Sequence, residues 1–281
     1  MLIITDPAQM AEQCAAWRQA GQSVALVPTM GFFHQGHESL MQAARKNAAK
    51  VVLSLFVNPT QFAPTEDLAA YPRDMERDKL IAEGNGVDVL FAPTPELMYP
   101  QGYDTWTQVP GLSRLLCGKT RPTHFKGVCT VVLKLFNITR PDLAFFGQKD
   151  WQQLAIIRRM AGDLNLGVKV EGVPIVREAD GLAMSSRNSY LGEAERTQAP
   201  QIHKGLTLAR QLFAAGETRS SVLRKRISEF WQEKLPLGRV DYLELVHPET
   251  LKAEKTATPE SLVITAVYLG KARLIDNQIL G

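Results

Sequence analysis

The stretch Val24-Ala25-Leu26-Val27-Pro28-Thr29-Met30-Gly31-Phe32-Phe33-His34-Gln35-Gly36-His37 decides the fold. Its first four residues are a short apolar run that stops at a proline, as a buried strand does. Gly31 and Gly36 bracket a loop, and Glu38 to Ala49 carries helical periodicity. The next apolar run, Val51-Val52-Leu53-Ser54-Leu55-Phe56-Val57, is β-branched at its start and ends at Asn58-Pro59. Strand, helix and strand with short joints form a βαβ unit, which predicts a parallel sheet.

The alternation continues down the chain. Arg73 to Glu83 reads as a helix closed by Gly84-Asn85-Gly86, and Val87 to Phe91 as a strand. Val128 to Ile138 is helical, Leu143 to Phe146 a strand, and Asp150 to Leu164 a long helix whose start Asp150 can cap. Val168 to Val173 is one more strand. After about Val176 the texture changes: two amphipathic helices, Ala194 to Ala215 and Ser221 to Leu235, precede strands at Val240 to Val246, Leu262 to Leu269 and Ala272 to Ile275. The expected fold class is α/β. Residues 1–175 form a Rossmann-like parallel sheet flanked by helices, and residues 176–281 a smaller C-terminal α+β domain acting as a lid. Such sheets bind ligands beyond the carboxyl ends of their strands, so the segments after Val27, Val57, Phe146 and Val173 are the ones to watch.

Composition narrows the class. The 281 residues are 45% hydrophobic and 22% charged, ordinary for a globular protein with a real core. A net charge of +3 is too weak for a nucleic-acid groove. Cys14, Cys117 and Cys129 are odd in number, and no pair has the CxxC spacing of a zinc ribbon or redox dithiol. Buried free thiols in a reducing compartment are expected. The N-terminus has no basic region and meets Asp6-Pro7 at once, unlike a signal peptide. The longest strongly apolar run, Val51 to Val57, falls far short of the ~20 residues that span a membrane. A cytoplasmic enzyme with small-molecule substrates, and with no nucleic-acid or membrane partner, is the expectation.

Four segments carry chemistry. In the first, a helix N-terminus presents free amides and a positive dipole end to a phosphate. Gly36 lets the backbone approach it, and His34 and His37 can donate to phosphate oxygens as charge builds on a leaving pyrophosphate. Two of the chain's five histidines in one such loop favour function over a surface or core role. The second is Phe146-Gly147-Gln148-Lys149-Asp150-Trp151-Gln152-Gln153, where Lys149 suits a phosphate and Asp150 suits either a ligand or a helix cap. The third, Met184-Ser185-Ser186-Arg187-Asn188, combines two hydroxyls and a guanidinium in a turn. The fourth, Asn58-Pro59-Thr60-Gln61-Phe62, sets Gln61 after the second strand to read a carboxylate or hydroxyl. Gly118-Lys119-Thr120 only imitates a P-loop, because Ser113 stands where a glycine is required.

Together these segments resemble a known family. The HxGH after the first strand and the late Ser-Ser-Arg turn are similar to the signatures of the HxGH nucleotidylyltransferase superfamily. With Tyr71-Pro72-Arg73, Arg121-Pro122-Thr123-His124-Phe125, Asp180-Gly181-Leu182-Ala183-Met184 and Leu269 to Asn277, the ordered set resembles the pantothenate synthetases (pantoate–β-alanine ligases). The resemblance implies an AMP-forming ligase. ATP and (R)-pantoate would form pantoyl adenylate and pyrophosphate, and β-alanine would displace AMP to give pantothenate, with Mg2+ accompanying the nucleotide.

Carried over position by position, His34, His37, Lys149 and Arg187 would be catalytic. ATP would be lined by Met30, Gly31, Phe32, Phe33, His34, Gln35, Gly36 and His37, then by Gly147, Gln148, Lys149 and Asp150. Val176 would pack at the adenine end, and Met184, Ser185, Ser186 and Arg187 would close over the nucleotide. Gln61 and Gln153 would hold pantoate, with Gln61 also near β-alanine, and Asp78 would be a magnesium-associated carboxylate. The resemblance also implies a homodimer, with Leu112 to Phe125 as the contact. The chain departs from the family pattern at Gln35 and Gln148, where acidic residues are usual, and at Phe32 and Phe33. Competing classes are a nucleotidyltransferase acting on a phosphorylated precursor, a tRNA-charging enzyme, and a silent nucleotide binder. The first does not call for the two glutamine motifs, the second lacks its basic arm, and the third would bind without turnover.

Overall fold

The computed structural model describes residues 1–63, 68 and 71–281. They divide into two compact units: Met1–Gln148 with Ile156–Pro174, and Lys149–Ala155 with Ile175–Gly281. The second is therefore not a simple C-terminal block, since it also takes the turn that carries Lys149.

In the first unit the elements run β1 (Leu2–Ile4), α1 (Pro7–Gln19), β2 (Val24–Thr29), α2 (Gln35–Asn47), β3 (Lys50–Leu55), α3 (Met75–Gly84) and β4 (Val89–Phe91). Short helices α4 (Pro95–Met98), α5 (Pro110–Ser113) and α6 (Cys117–Thr120) lead to α7 (His124–Thr139) and β5 (Leu143–Gly147). Then come α8 (Trp151–Asp163), whose first turns group with the other unit, and β6 (Lys169–Val173). The six strands form one parallel sheet in the order β1-β4-β3-β2-β5-β6. From β2 the chain builds outward through β3 and β4, whereas β5 and β6 lie on its other side. The β2/β5 boundary is thus the topological switch point, where open α/β sheets bind ligands.

The inner strands β2 to β5 are apolar because both faces are covered. Val24, Ala25, Leu26 and Val27 are all fully buried. One core joins Ala25 and Val27 to Leu40, Met41 and Ala44 of α2, Val51 and Leu53 of β3, Leu90 and Phe145. The strand does not stop at Pro28 but runs on to Thr29. The reason is geometric. Ser23 and Thr29 accept the Lys50 and Phe56 amides on the β3 side, while Val24 accepts one from Asp142 beside β5. By alternation Pro28 faces the β5 side, and pairing there ends at Leu26, so its missing N–H costs no ladder bond.

Helix α1 goes beyond the sequence pattern. In α1, Asp6 accepts the Ala8 and Gln9 amides and Pro7 takes the first helical position. Only Met10 and Cys14 of this helix are buried, which leaves almost no apolar stripe to read. All three cysteines are free and buried, and burial pushes the Cys14 and Cys129 thiols up to about 11. In the 112–125 segment Leu112, Leu116, Cys117 and Phe125 are buried within the chain, whereas Leu115 is half-buried and Pro122 exposed.

The second unit holds α9 (Glu193–Gln198), α10 (Gln201–Ala214) and α11 (Ser220–Lys234), followed by β7 (Gly238–Val246), β8 (Leu262–Leu269) and β9 (Ala272–Ile279). The single helix expected from Ala194 to Ala215 is two, because Pro200 cannot donate its amide and the axis breaks there. The strands form an antiparallel sheet in the order β7-β8-β9. Its core gathers Ile202, Leu206, Leu223, Ile227 and Trp231 from the helices with Val263, Val267 and Leu274 from the sheet. Among the described residues, no helix is long and apolar enough to cross a membrane.

Candidate functional site

The HxGH segment is half loop and half helix. Helix α2 starts at Gln35, three residues before the sequence pattern shows it, and His34 is its N-cap. The His34 ring nitrogen Nδ1 accepts the Gly36 amide at 3.1 Å, and His37 Nδ1 accepts the His34 amide at 3.3 Å. This reciprocal pairing is a capping box built from imidazoles instead of a hydroxyl and a carboxylate. Because each Nδ1 accepts, each neutral ring carries its proton on Nε2. The two rings lie 4.2 Å apart between centroids, tilted by 45°. The helix dipole and two N–H donors are therefore gathered at the carboxyl end of β2.

What fixes the loop before it is a carboxylate. Asp78 on α3 is only 1% exposed. Its Oδ2 accepts the Phe32 amide at 2.7 Å and its Oδ1 the Phe33 amide at 2.8 Å. Gly31 and Phe32 both take left-handed backbone, with φ of 87° and 55°. A Cβ at Gly31 would stand 3.0 Å from Asp78 Oδ2, so a side chain there would crowd the clamp. Burial pushes the Asp78 carboxyl above its usual range, while the two amides and Arg77 pull the other way. The sequence resemblance puts Asp78 beside magnesium; in the structure both of its oxygens serve the loop.

The two phenylalanines play different parts. Phe33 is fully buried in the sheet core, contributing about 1.5–3 kcal/mol by its burial, so its ring cannot line a ligand pocket. Only its backbone remains for that role. Phe32 is partly exposed, with the Arg77 guanidinium 5.4 Å from its ring centroid. Gln35 is exposed at the helix start.

Gln61 closes a turn that follows β3 and is 8% exposed. Its Oε1 accepts from Asn58 Nδ2 at 3.1 Å, and its Nε2 donates to Met30 Sδ at 3.1 Å, joining it to the loop after β2. Its carbonyl accepts from His124 Nδ1 at 2.8 Å and from Arg121 at 3.4 Å. Asn58, 1% exposed, also donates to the Gly127 carbonyl at 3.2 Å and accepts from the Tyr99 hydroxyl at 2.8 Å. Helix α7 comes so close that a Cβ at Gly127 would overlap the Thr60 carbonyl. Asn58, Tyr99, His124 and Gly127 are thus supports of Gln61. Asn58 and His124 stand in sequence motifs, but Tyr99 has no signal of its own in one sequence. Gly147 ends β5 and Gln148 opens the turn after it, its side-chain Nε2 donating to the Gly172 carbonyl of β6 at 3.4 Å.

In the second unit, Lys149 and Asp150 sit in a 3₁₀ turn before α8, with Asp150 exposed and Gln153 partly exposed on the helix. Burial pushes the Lys149 ammonium below the usual lysine range. Arg187 adds to this, and Asp150 and Asp276 oppose it. Val176 and Met184, far apart as sequence signals, are partners: the Met184 amide donates to the Val176 carbonyl at 3.0 Å. Arg177 and Ala183 bridge the same hairpin, whose turn closes through Gly181. Ser185 then caps a 3₁₀ helix over Ser186–Tyr190 by accepting the Arg187 amide at 3.2 Å, so its hydroxyl oxygen works structurally. The structure therefore gathers the expected residues in two groups, Met30–His37 with Gln61 and Asp78 in one unit, and Lys149 with Val176 and Met184–Arg187 in the other.

Comparison with known proteins points one way. The family model for pantoate-beta-alanine ligase matches residues 2–279. A pantothenate synthetase of Nitratidesulfovibrio vulgaris (strain DSM 19637 / Miyazaki F) is 59% identical over 280 residues, covering 100% of this chain and 99% of its own. One from Oleidesulfovibrio alaskensis is 58% identical, with 100% of both chains covered. Among solved structures, pantothenate synthetase from Thermus thermophilus superposes with a TM-score of 0.94 at 43% identity, covering 100% of this chain and 99% of that one. The pantoate-beta-alanine ligase of Francisella tularensis, solved with β,γ ATP and β-alanine, has a TM-score of 0.81 at 31% identity, covering 100% and 98%.

Proposed function

The chain belongs to the pantoate–β-alanine ligase family and is a ligase, and from that premise we propose that it condenses (R)-pantoate with β-alanine through a pantoyl-adenylate intermediate. The observation that carries this is the imidazole capping box. It sets two imidazoles 4.2 Å apart between centroids at the positive end of a helix dipole, where the charge of a departing pyrophosphate would be met.

In the first step a pantoate carboxylate oxygen attacks the α-phosphorus of ATP. A carboxylate–phosphorus bond forms as the bridging bond to the β-phosphate breaks, and pyrophosphate carries away the electron pair. Such a transfer needs positioning and charge neutralisation more than a protein nucleophile. His34 and His37 would donate to triphosphate oxygens. Lys149 would add its charge, and an arriving polyanion would restore the proton affinity that burial takes from it. Gln61, with one Nε2 hydrogen on Met30, would turn the other to a pantoate oxygen. Gln153 would hold pantoate from its side, Val176 would pack on adenine, and Met184 to Arg187 would grip the phosphates. In the second step the β-alanine amine attacks the acyl carbon, AMP leaves, and the amine gives up its proton.

Mg2+ fits this scheme as part of the substrate. Among the described residues, no group of three or more His, Cys, Asp or Glu could hold a metal, and Asp78 is committed to loop amides. Magnesium would arrive on the triphosphate, whose oxygens and waters satisfy it. A cytoplasmic homodimer remains part of the same proposal. The test is AMP formation from ATP and magnesium, with pantoate and β-alanine supplied separately and together. AMP that requires both supports the ligase assignment, and AMP indifferent to both overturns it.

A further inference from the structure

The second unit ties its two expected phosphate segments to one dipeptide. Arg177, at the start of the hairpin that leads to Met184–Arg187, pairs two-pronged with Asp276 of β9: Nη1 to Oδ2 at 2.8 Å and Nη2 to Oδ1 at 2.9 Å. The Asp276 side chain is 4% exposed, so the pair is desolvated. Arg177 Nη1 also donates to the Gly181 carbonyl at 3.1 Å, across the base of the hairpin turn. The next residue of β9, Asn277, is 4% exposed and sends its Nδ2 to the Lys149 carbonyl at 3.0 Å. Its own amide donates to Asp276 Oδ1 at 2.7 Å, which locks the two side chains into one unit.

A buried ion pair is weak evidence for stability, because desolvation offsets most of its attraction. Its use is specificity of placement. A fold that needed only to seat β9 would be served by apolar residues, as the rest of this core is. Here the polar groups reach the hairpin and the Lys149 turn.

We infer that Asp276 and Asn277 are positioning residues for ATP: they set the distance between Lys149 and the Met184–Arg187 segment without touching the nucleotide themselves. This rests on Lys149 and Arg187 being phosphate contacts. Asn277 carries the test, since Asp276→Asn leaves the buried Arg177 half matched and endangers folding. Asn277→Ala removes the donor, and the isosteric Asn277→Asp replaces it with an acceptor. Both lower kcat/KM for ATP by about tenfold, the scale of one hydrogen bond. The KM values for pantoate and β-alanine stay within about twofold, and the melting temperature of Asn277→Ala falls by only a few degrees. A merely structural role would not produce that split.

A double-mutant cycle makes the outcome sharper. ATP binding by calorimetry, without the other substrates, is measured for Asn277→Ala, Lys149→Ala and the pair. The pair binds ATP no more weakly than Lys149→Ala alone, because Asn277 acts through Lys149. Losses that multiply, or an Asn277→Ala variant with unchanged ATP kinetics beside a crippled Lys149→Ala, overturn the positioning role alone. Wild-type ATP binding and kinetics in Lys149→Ala would overturn the assignment of Lys149 as well.

Discussion

Asp78 holds Phe33 by its backbone, Oδ1 accepting the buried amide at 2.8 Å, while its second oxygen takes the neighbouring Phe32 amide at 2.7 Å. The clamp lies on α3, more than forty residues further along the chain, yet it sets the left-handed turn that delivers His34 to the start of α2. Asp78→Asn is its closest mimic in size, but can accept from only one amide and turns an N–H toward the other. The variant should lose about 1–3 kcal/mol of stability, the cost of an unmatched buried polar group. It should also release pyrophosphate at least tenfold more slowly. Chemical denaturation and a pyrophosphate assay check the two effects. A stable variant with normal turnover would show that the clamp is dispensable.

Replacing His37 by alanine should cut the adenylation step by about 10²–10³, the usual effect of losing one donor to a developing anion. The helix loses one capping bond, from the His34 amide, at about 1 kcal/mol, so folding survives. Pyrophosphate release with pantoate but without β-alanine isolates the step. Near-normal release from a folded variant would remove His37 from the mechanism.

Gly127 is a glycine for closeness: it lets α7 lie against the Thr60 carbonyl, one residue from Gln61. Gly127→Ala should push that turn away at a cost of about 1–3 kcal/mol from overpacking. The KM for pantoate should rise several-fold while the KM for ATP holds. Steady-state kinetics with each substrate varied separates the two, and an equal rise in both would contradict the assignment of Gln61 to pantoate.

Burial lowers the proton affinity of Lys149 in the free enzyme, so its charge is lost at a lower pH than the usual lysine value of 10.5. The sign is that of a base destabilised in its charged form. The cation is present at low pH and disappears as pH rises through the depressed pKa. The pH profile of kcat/KM for ATP should therefore fall on its alkaline side below 10.5, and Lys149→Arg, if active, should push that limb upward. An alkaline limb unmoved by the substitution would assign it to another group.

The sequence pattern made much of this fold legible because the central strands are covered on both faces and so read as unbroken apolar runs ending at Pro28 and Asn58-Pro59. It failed where burial is slight or local chemistry overrides periodicity. Helix α1 buries only Met10 and Cys14 and offers no stripe. The start of α2 is masked because imidazoles do the capping that Ser, Asp or Glu would signal. The site divides in the same way. Residues expected to meet a ligand, such as His34, His37 and Gln61, stand out by type and spacing. Their supports, Asp78, Tyr99, Gly127 and Asn277, act through backbone carbonyls and amides or through another support, which a linear sequence does not display.

The most direct test of the adenylate route uses pantoate whose carboxylate carries heavy oxygen, incubated with ATP, magnesium and β-alanine, with the AMP analysed by mass spectrometry. Attack by the carboxylate on the α-phosphorus predicts one labelled oxygen in each AMP. AMP formed without label would mean that the pantoate carboxylate never bonded to that phosphorus, and the account built on His34 and His37 would fail at its first step.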